Sequence, residues 1–225
     1  MDRIPNKGLE RRELRVAGLR VDGETRSIAG HAATFNQETV IAGLFREVIR
    51  PGAFKRALAE GQDVVAWYQH GKGAPLPLGR TTATPPTLRL AEDERGLRFE
   101  IDPPATQSAD ELREAIKRGD VTGMSFAFDV RMHEDENWDD SEVGSGKLPL
   151  RELLNVDLFD VSPVVFPAYQ GTSVHARSAE EVLEAHKPVA VPETPAEPEQ
   201  SCSEPQEPNA DALEVERATL QLQLL

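Results

Sequence analysis

Residues 121–130 read Val121-Thr-Gly-Met-Ser-Phe-Ala-Phe-Asp-Val130, and the alternation in this stretch governs how the rest of the chain is read. Met124, Phe126, Phe128 and Val130 fall on one side of an extended backbone, and Gly123, Ser125, Ala127 and Asp129 on the other. The bulky side must face a core. Ser125 is therefore expected on the opposite face, between small neighbours that leave room for another backbone to approach. Taken alone, the segment is also what a strand with a polar face looks like.

Short β-compatible runs dominate outward from this strand. Leu14, Val16, Leu19 and Val21 precede Asp22-Gly23, and Ile28, Ala32 and Phe35 follow it, which predicts a hairpin. Residues 51–60 open with Pro51 and space Phe54, Ala57 and Leu58 as a short helix that Gly61 closes. A strand is expected over 63–70 and a meander over 76–102. Ser108 and Glu111 have the spacing of a capping box, which predicts a helix as far as Arg118, ended by Gly119. A second long strand is expected over 153–166, and the polar stretch 133–149 before it as an exposed loop.

A chain of 225 residues suits one well-cored domain with extensions. The net charge of −14 is uneven: residues 178–225 carry 11 acidic and 2 basic side chains, against 28 and 23 in residues 1–177. No basic footprint for a nucleic-acid partner is present. Cys202 is the only cysteine, so no internal disulfide or Cys-rich zinc site can form, and a reducing compartment is expected. Neither an apolar leader nor a membrane-length apolar run occurs, so a soluble protein without an export signal or membrane partner is expected. From Arg177 onward Pro, Glu, Ala and Ser prevail, too little apolar surface to offset chain entropy. The chain is thus divided into a domain over 1–176 and a disordered acidic tail over 177–225, with a short Leu-rich segment at its end.

Three residue types in this pattern point to acyl-transfer chemistry. His70 ends the run Asp63-Val-Val-Ala-Trp-Tyr-Gln-His70 at a Gly- and Pro-rich loop, and an imidazole can take and return a proton near neutral pH. Asp160 stands in the apolar run Leu158-Phe-Asp-Val161, where an unpaired charge is costly. Its partner is either the Nδ1–H of His70, a backbone amide, or an arginine such as Arg80 or Arg151. With Ser125 as nucleophile, His70 and Asp160 supply the base and orienting carboxylate of a triad. The order His, Ser, Asp differs from the chymotrypsin, subtilisin and α/β-hydrolase orders. Ala127 also stands where a Gly-x-Ser-x-Gly elbow needs its last glycine. The stretch His133-Glu-Asp-Glu has no metal-site spacing, and no metal or cofactor is expected.

Five groups of residues carry a family resemblance. They are Gly30-His-Ala-Ala-Thr-Phe35; Glu47-Val-Ile-Arg-Pro-Gly-Ala-Phe54; Trp67-Tyr-Gln-His70 with Pro77-Leu-Gly-Arg80; Thr122-Gly-Met-Ser-Phe126; and Leu158-Phe-Asp-Val-Ser162 with Phe166-Pro-Ala168. In this order, over residues 28–170, the chain resembles the prohead maturation proteases of tailed bacteriophages, whose fold is similar to that of herpesvirus assemblin. The resemblance implies an α+β, β-dominated fold, an assemblin-like β-barrel flanked by short helices. It implies a serine endopeptidase with Ser125 as nucleophile, His70 as base, and Asp160 where the family usually holds Glu. The implied substrates are the scaffolding segment of the major capsid protein, any separate scaffold and the protease itself. The implied place is the assembling procapsid in the bacterial host cytoplasm. The assemblin analogy adds a homodimer, His133 as an alternative third member, and an Arg-held water at the oxyanion, for which Arg80 is the candidate. The alternative from another class is a catalytically silent assembly or scaffold module, supported by Asp at the usual Glu position.

Overall fold

The computed structural model describes residues 9–15, 18–71, 77–131, 133–165 and 173–186. The first half contains β1 (Glu10–Arg15), β2 (Arg20–Val21), β3 (Ile28–Thr34), β4 (Thr39–Ile41), β5 (Phe45–Ile49), the helix α1 (Lys55–Ala59), β6 (Val65–Ala66), β7 (Gly79–Arg80), β8 (Leu88–Glu92) and β9 (Gly96–Ile101). The second contains α2 (Gln107–Arg118), β10 (Gly123–Asp129), β11 (Glu136–Asp139), β12 (Leu150–Leu153), β13 (Asp157–Val164) and α3 (Ser173–His186). No helix among these residues is long and apolar enough to cross a membrane.

The strands form three sheets, ordered β1-β10-β13-β6-β7, β11-β12-β5-β4 and β2-β3-β9-β8. The fold is β-dominated as expected, but among the described residues no sheet closes into a barrel. Closure needs a continuous staggered ladder, and β6 and β7, at one end of the first sheet, are two residues long.

The alternation in 121–130 does form a strand, β10, which lies between β1 and β13 in the five-stranded sheet. Phe126 and Phe128 are fully buried, with Phe126 edge-on to Phe54 at 5.8 Å and stacked on Phe128 at 5.3 Å. Burying each such ring contributes about 1.5–3 kcal/mol, so this row and Val161 opposite it fasten β10 and β13 into the core.

Several elements differ from expectation for local reasons. Leu14 lies in β1 and pairs with Met124 of β10, so the hairpin is β2 with β3 alone. Its turn is held by Asp22 Oδ1, which accepts the Glu24 and Thr25 amides at 2.9 and 2.7 Å. The helix expected over 51–60 shortens to α1, and the strand expected over 63–70 to β6. The expected meander is split between two sheets: β7 pairs with β6 in the first, and only β8 and β9 pair with each other, in the third. Helix α2 ends at Gly119 (φ 81°) as expected, but its cap is Thr106, whose Oγ1 accepts the Ala109 amide, two residues before the predicted cap.

The stretch 133–149 is more than a loop. It supplies β11, which pairs with β12, and buried Asp135, whose two oxygens accept Arg56 Nη1 and Nη2 at 2.5 and 2.8 Å. Helix α3 runs through the start of the Pro- and Glu-rich region, so residues 177–186 are helical where disorder was expected. The His186 ring stacks on Trp138 at 4.2 Å, and its Nε2 is 2.9 Å from Asp140 Oδ2. The disorder and Leu-rich segment expected beyond residue 186 lie outside the described residues.

Candidate active site

The site lies on the face of β10 and β13 away from the Phe126 row. In the antiparallel ladder Ser125 stands opposite Ser162, and Ala127 opposite Asp160. The register then shifts, so that Phe128 faces Leu158 and Phe159 becomes the extra residue. A bulge of this kind flips the alternation of the strand on one side of it. Leu158 is thereby buried in the core while Asp160 keeps the Ser125 face, which is how a carboxylate fits in an apolar strand.

Backbone conformation brings His70 to that carboxylate. β6 runs parallel to β13, with Val65 beside Asp160. Gln69 (φ 52°) and His70 (φ 56°, ψ 32°) then adopt the left-handed region before Gly71 (φ 74°). For residues with a Cβ this conformation costs about 1–2 kcal/mol each, and such strain persists where surrounding contacts hold it. Here the contact is a hydrogen bond. His70 Nδ1 lies 2.9 Å from Asp160 Oδ1 and 3.2 Å from Oδ2, with the imidazole 6 % exposed.

Two atoms on this face have no partner. His70 Nε2 and Ser125 Oγ are each buried and make no hydrogen bond. Buried polar atoms are nearly always paired, and exceptions mark strain or chemistry. An imidazole whose Nδ1–H is given to a carboxylate presents Nε2 as an acceptor, and a serine hydroxyl is the donor it lacks.

Other expected residues lie elsewhere. Ser125 and Ala127 are 0 % exposed, so their face is covered rather than open. Arg80, the oxyanion candidate, is bound to Asp63 at the end of the sheet and holds that carboxyl down to about 2. Arg151 is committed to Glu10, Glu47 and Glu136. His133 is exposed in a short turn before β11, and the carboxylate on His70 is that of Asp160. Ser162, which is fully buried and donates to Asp160 Oδ1 at 2.9 Å, was not singled out by sequence reasoning. Period-two spacing from Asp160 was the signal available for it.

A family model described as caudovirus prohead serine protease matches residues 12–186, a span that contains His70, Ser125 and Asp160. The prohead protease of Enterobacteria phage HK97 is 32 % identical over 171 residues, covering 75 % of this chain and 67 % of that protein. No solved structure matches the chain. The match over most of the chain settles the class of chemistry: the chain belongs to the caudovirus prohead serine protease family, and it is a serine protease of capsid maturation.

Proposed function

We propose that Ser125, His70 and Asp160 are the catalytic triad with which this protein cleaves scaffold segments from the major capsid protein, any separate scaffold, and itself, inside the procapsid. Ser125 Oγ attacks the scissile carbonyl as its proton passes to His70 Nε2. The imidazolium then protonates the leaving amine, and water attacks the acyl-enzyme with His70 again as base. Asp160 keeps the Nδ1–H of His70 in place and stabilises the imidazolium. The protease domain is assigned to residues 1–176 and a scaffold-tethering tail to residues 177–225. The expectation of an assemblin-like core and a homodimer belongs to the same proposal.

The observation that carries this reading is the His70–Asp160 bond together with the two unpartnered atoms, His70 Nε2 and Ser125 Oγ. The test is co-expression with the cognate capsid protein. Wild type is expected to yield a shortened capsid band, and Ser125→Ala and His70→Ala to leave it full length. Identical bands from all three would overturn the assignment of Ser125 and His70.

A further inference from the structure

Asp160 accepts from two side chains, and only one of them belongs to the proposed triad. Its Oδ1 receives the Nδ1–H of His70 at 2.9 Å and the hydroxyl of Ser162 at 2.9 Å. Ser162 is two residues further along β13, fully buried, and directly opposite Ser125 in the ladder. The three side chains therefore share one face of two adjacent strands.

The second donor has a mechanical role. The terminal torsion of an aspartate is broad, and His70 Nδ1 lies near both oxygens, 2.9 Å from Oδ1 and 3.2 Å from Oδ2, so it does not by itself select which oxygen it faces. Two donors on one oxygen, one along the strand and one from the left-handed turn at His70, define both the place and the rotation of that oxygen. The geometry points to Ser162 as a positioning residue that holds Asp160 Oδ1 in line with His70 Nδ1. Its proton goes to Asp160, so Ser162 is not a second nucleophile.

The inference rests on the triad reading, and one assay separates the two. A fluorophosphonate modifies an activated serine: Ser125 Oγ bonds to phosphorus, fluoride leaves, and the serine proton passes to His70. The rate is measured on the full-length protein by intact mass. Loss of one hydrogen bond to a charged group makes Ser162→Ala about tenfold slower, while Ser162→Thr, which keeps the hydroxyl, restores the rate. The low-field proton resonance of His70 Nδ1–H is expected to move in Ser162→Ala and to return in Ser162→Thr. If Ser162→Ala does not fold, Ser162→Cys, a weaker donor of similar size, carries the test and must label more slowly than Ser162→Thr.

The role is overturned if Ser162→Ala labels at the wild-type rate with an unmoved resonance, or if Ser162→Thr is as slow as Ser162→Ala. Asp160→Asn distinguishes the two readings. If it labels like wild type, the triad itself is wrong. If it fails to label while Ser162→Ala is unaffected, only the role of Ser162 falls.

Discussion

The two faces of the β1–β10 strand pair treat buried polar groups in opposite ways. On the face of Phe126 and Phe128, Glu10 and Arg12 of β1 meet Glu47 of β5 and Arg151 of β12. Arg12 donates to Glu47 at 2.5 and 2.7 Å, and Arg151 to Glu10 at 2.7 and 2.9 Å, to Glu47 at 3.0 Å and to Glu136 at 2.6 Å. Burial alone would push the Glu10 carboxyl up, yet Arg12 and Arg151 hold it below its usual range. Burial opposes the charge on Arg12 too, and Glu47 and Glu10 outweigh it. On the other face, Ser125 Oγ and His70 Nε2 are buried with nothing to bond. A network of buried charges that answer one another fastens elements together, whereas a buried polar atom left unanswered is expensive.

Substitutions on either face have distinct consequences, and the largest effects belong to the unanswered face. Asp160→Asn, which removes the charge behind His70 with little change of shape, should lower proteolysis about 10⁴-fold. Ser125→Ala and His70→Ala should lose at least as much, and the urea unfolding midpoint of Ser125→Ala should not fall below wild type, whereas His70→Ala, which strands the buried Asp160 carboxylate, should lower it. Asp160→Glu should also lose activity, because Oδ1 already lies 2.9 Å from His70 Nδ1 and an added methylene crowds that contact. An active Asp160→Glu enzyme would show that the site tolerates both reaches.

On the answered face the effect is on stability. Arg151→Met strands three carboxylates and should cost about 3–5 kcal/mol in urea unfolding, while the folded fraction retains its labelling by fluorophosphonate. Loss of labelling in folded Arg151→Met would show that the two faces are coupled.

A smaller effect follows from pH. Glu10 has a folded pKa below its ordinary 4.5, so its contribution is complete above that pH and is lost as the pH falls through the lower, folded value. Wild-type stability should therefore decline on acidification below about 4.5, and Glu10→Gln, less stable at neutral pH, should decline less. Equal slopes for the two proteins would remove Glu10 from the network.

The smallest effect returns to the site. Ser125→Ala deletes a hydroxyl that has no partner, and should raise stability by up to about 1 kcal/mol. A loss of stability would mean that the hydroxyl is satisfied in solution.

Local patterns explain what the sequence revealed. The Met124, Phe126, Phe128 row appears as a buried strand face because alternation is a property of the strand alone. Gly119 ends α2 because a left-handed C-cap is a local demand. Thr106 was overlooked because Ser108 and Glu111 form an equally good capping pattern, and only the course of the chain before the helix selects between them. In the candidate site, residue type and neighbours single out Ser125, His70 and Asp160, whereas Ser162 stands out only by its period-two spacing from Asp160, and the register of β13 is what places both on one face.

The sequence by itself determined which face of 121–130 is core, that Ser125 sits among small neighbours, and that Asp160 needs a partner. Those are consequences of side-chain size and the cost of burying charge. The remaining features depend on contacts between distant parts of the chain. The bulge at Phe159 keeps Asp160 on the Ser125 face, and the left-handed turn at Gln69 and His70 chooses His70 over Arg80 or Arg151 as its partner. Glu10 meets Arg151 across 141 residues of chain. Pairings this distant depend on register and on competition among many possible ion pairs, and no local pattern encodes either. The open face expected around Ser125 is covered for the same reason: what lies over a strand is settled by the packing of other elements, not by the strand.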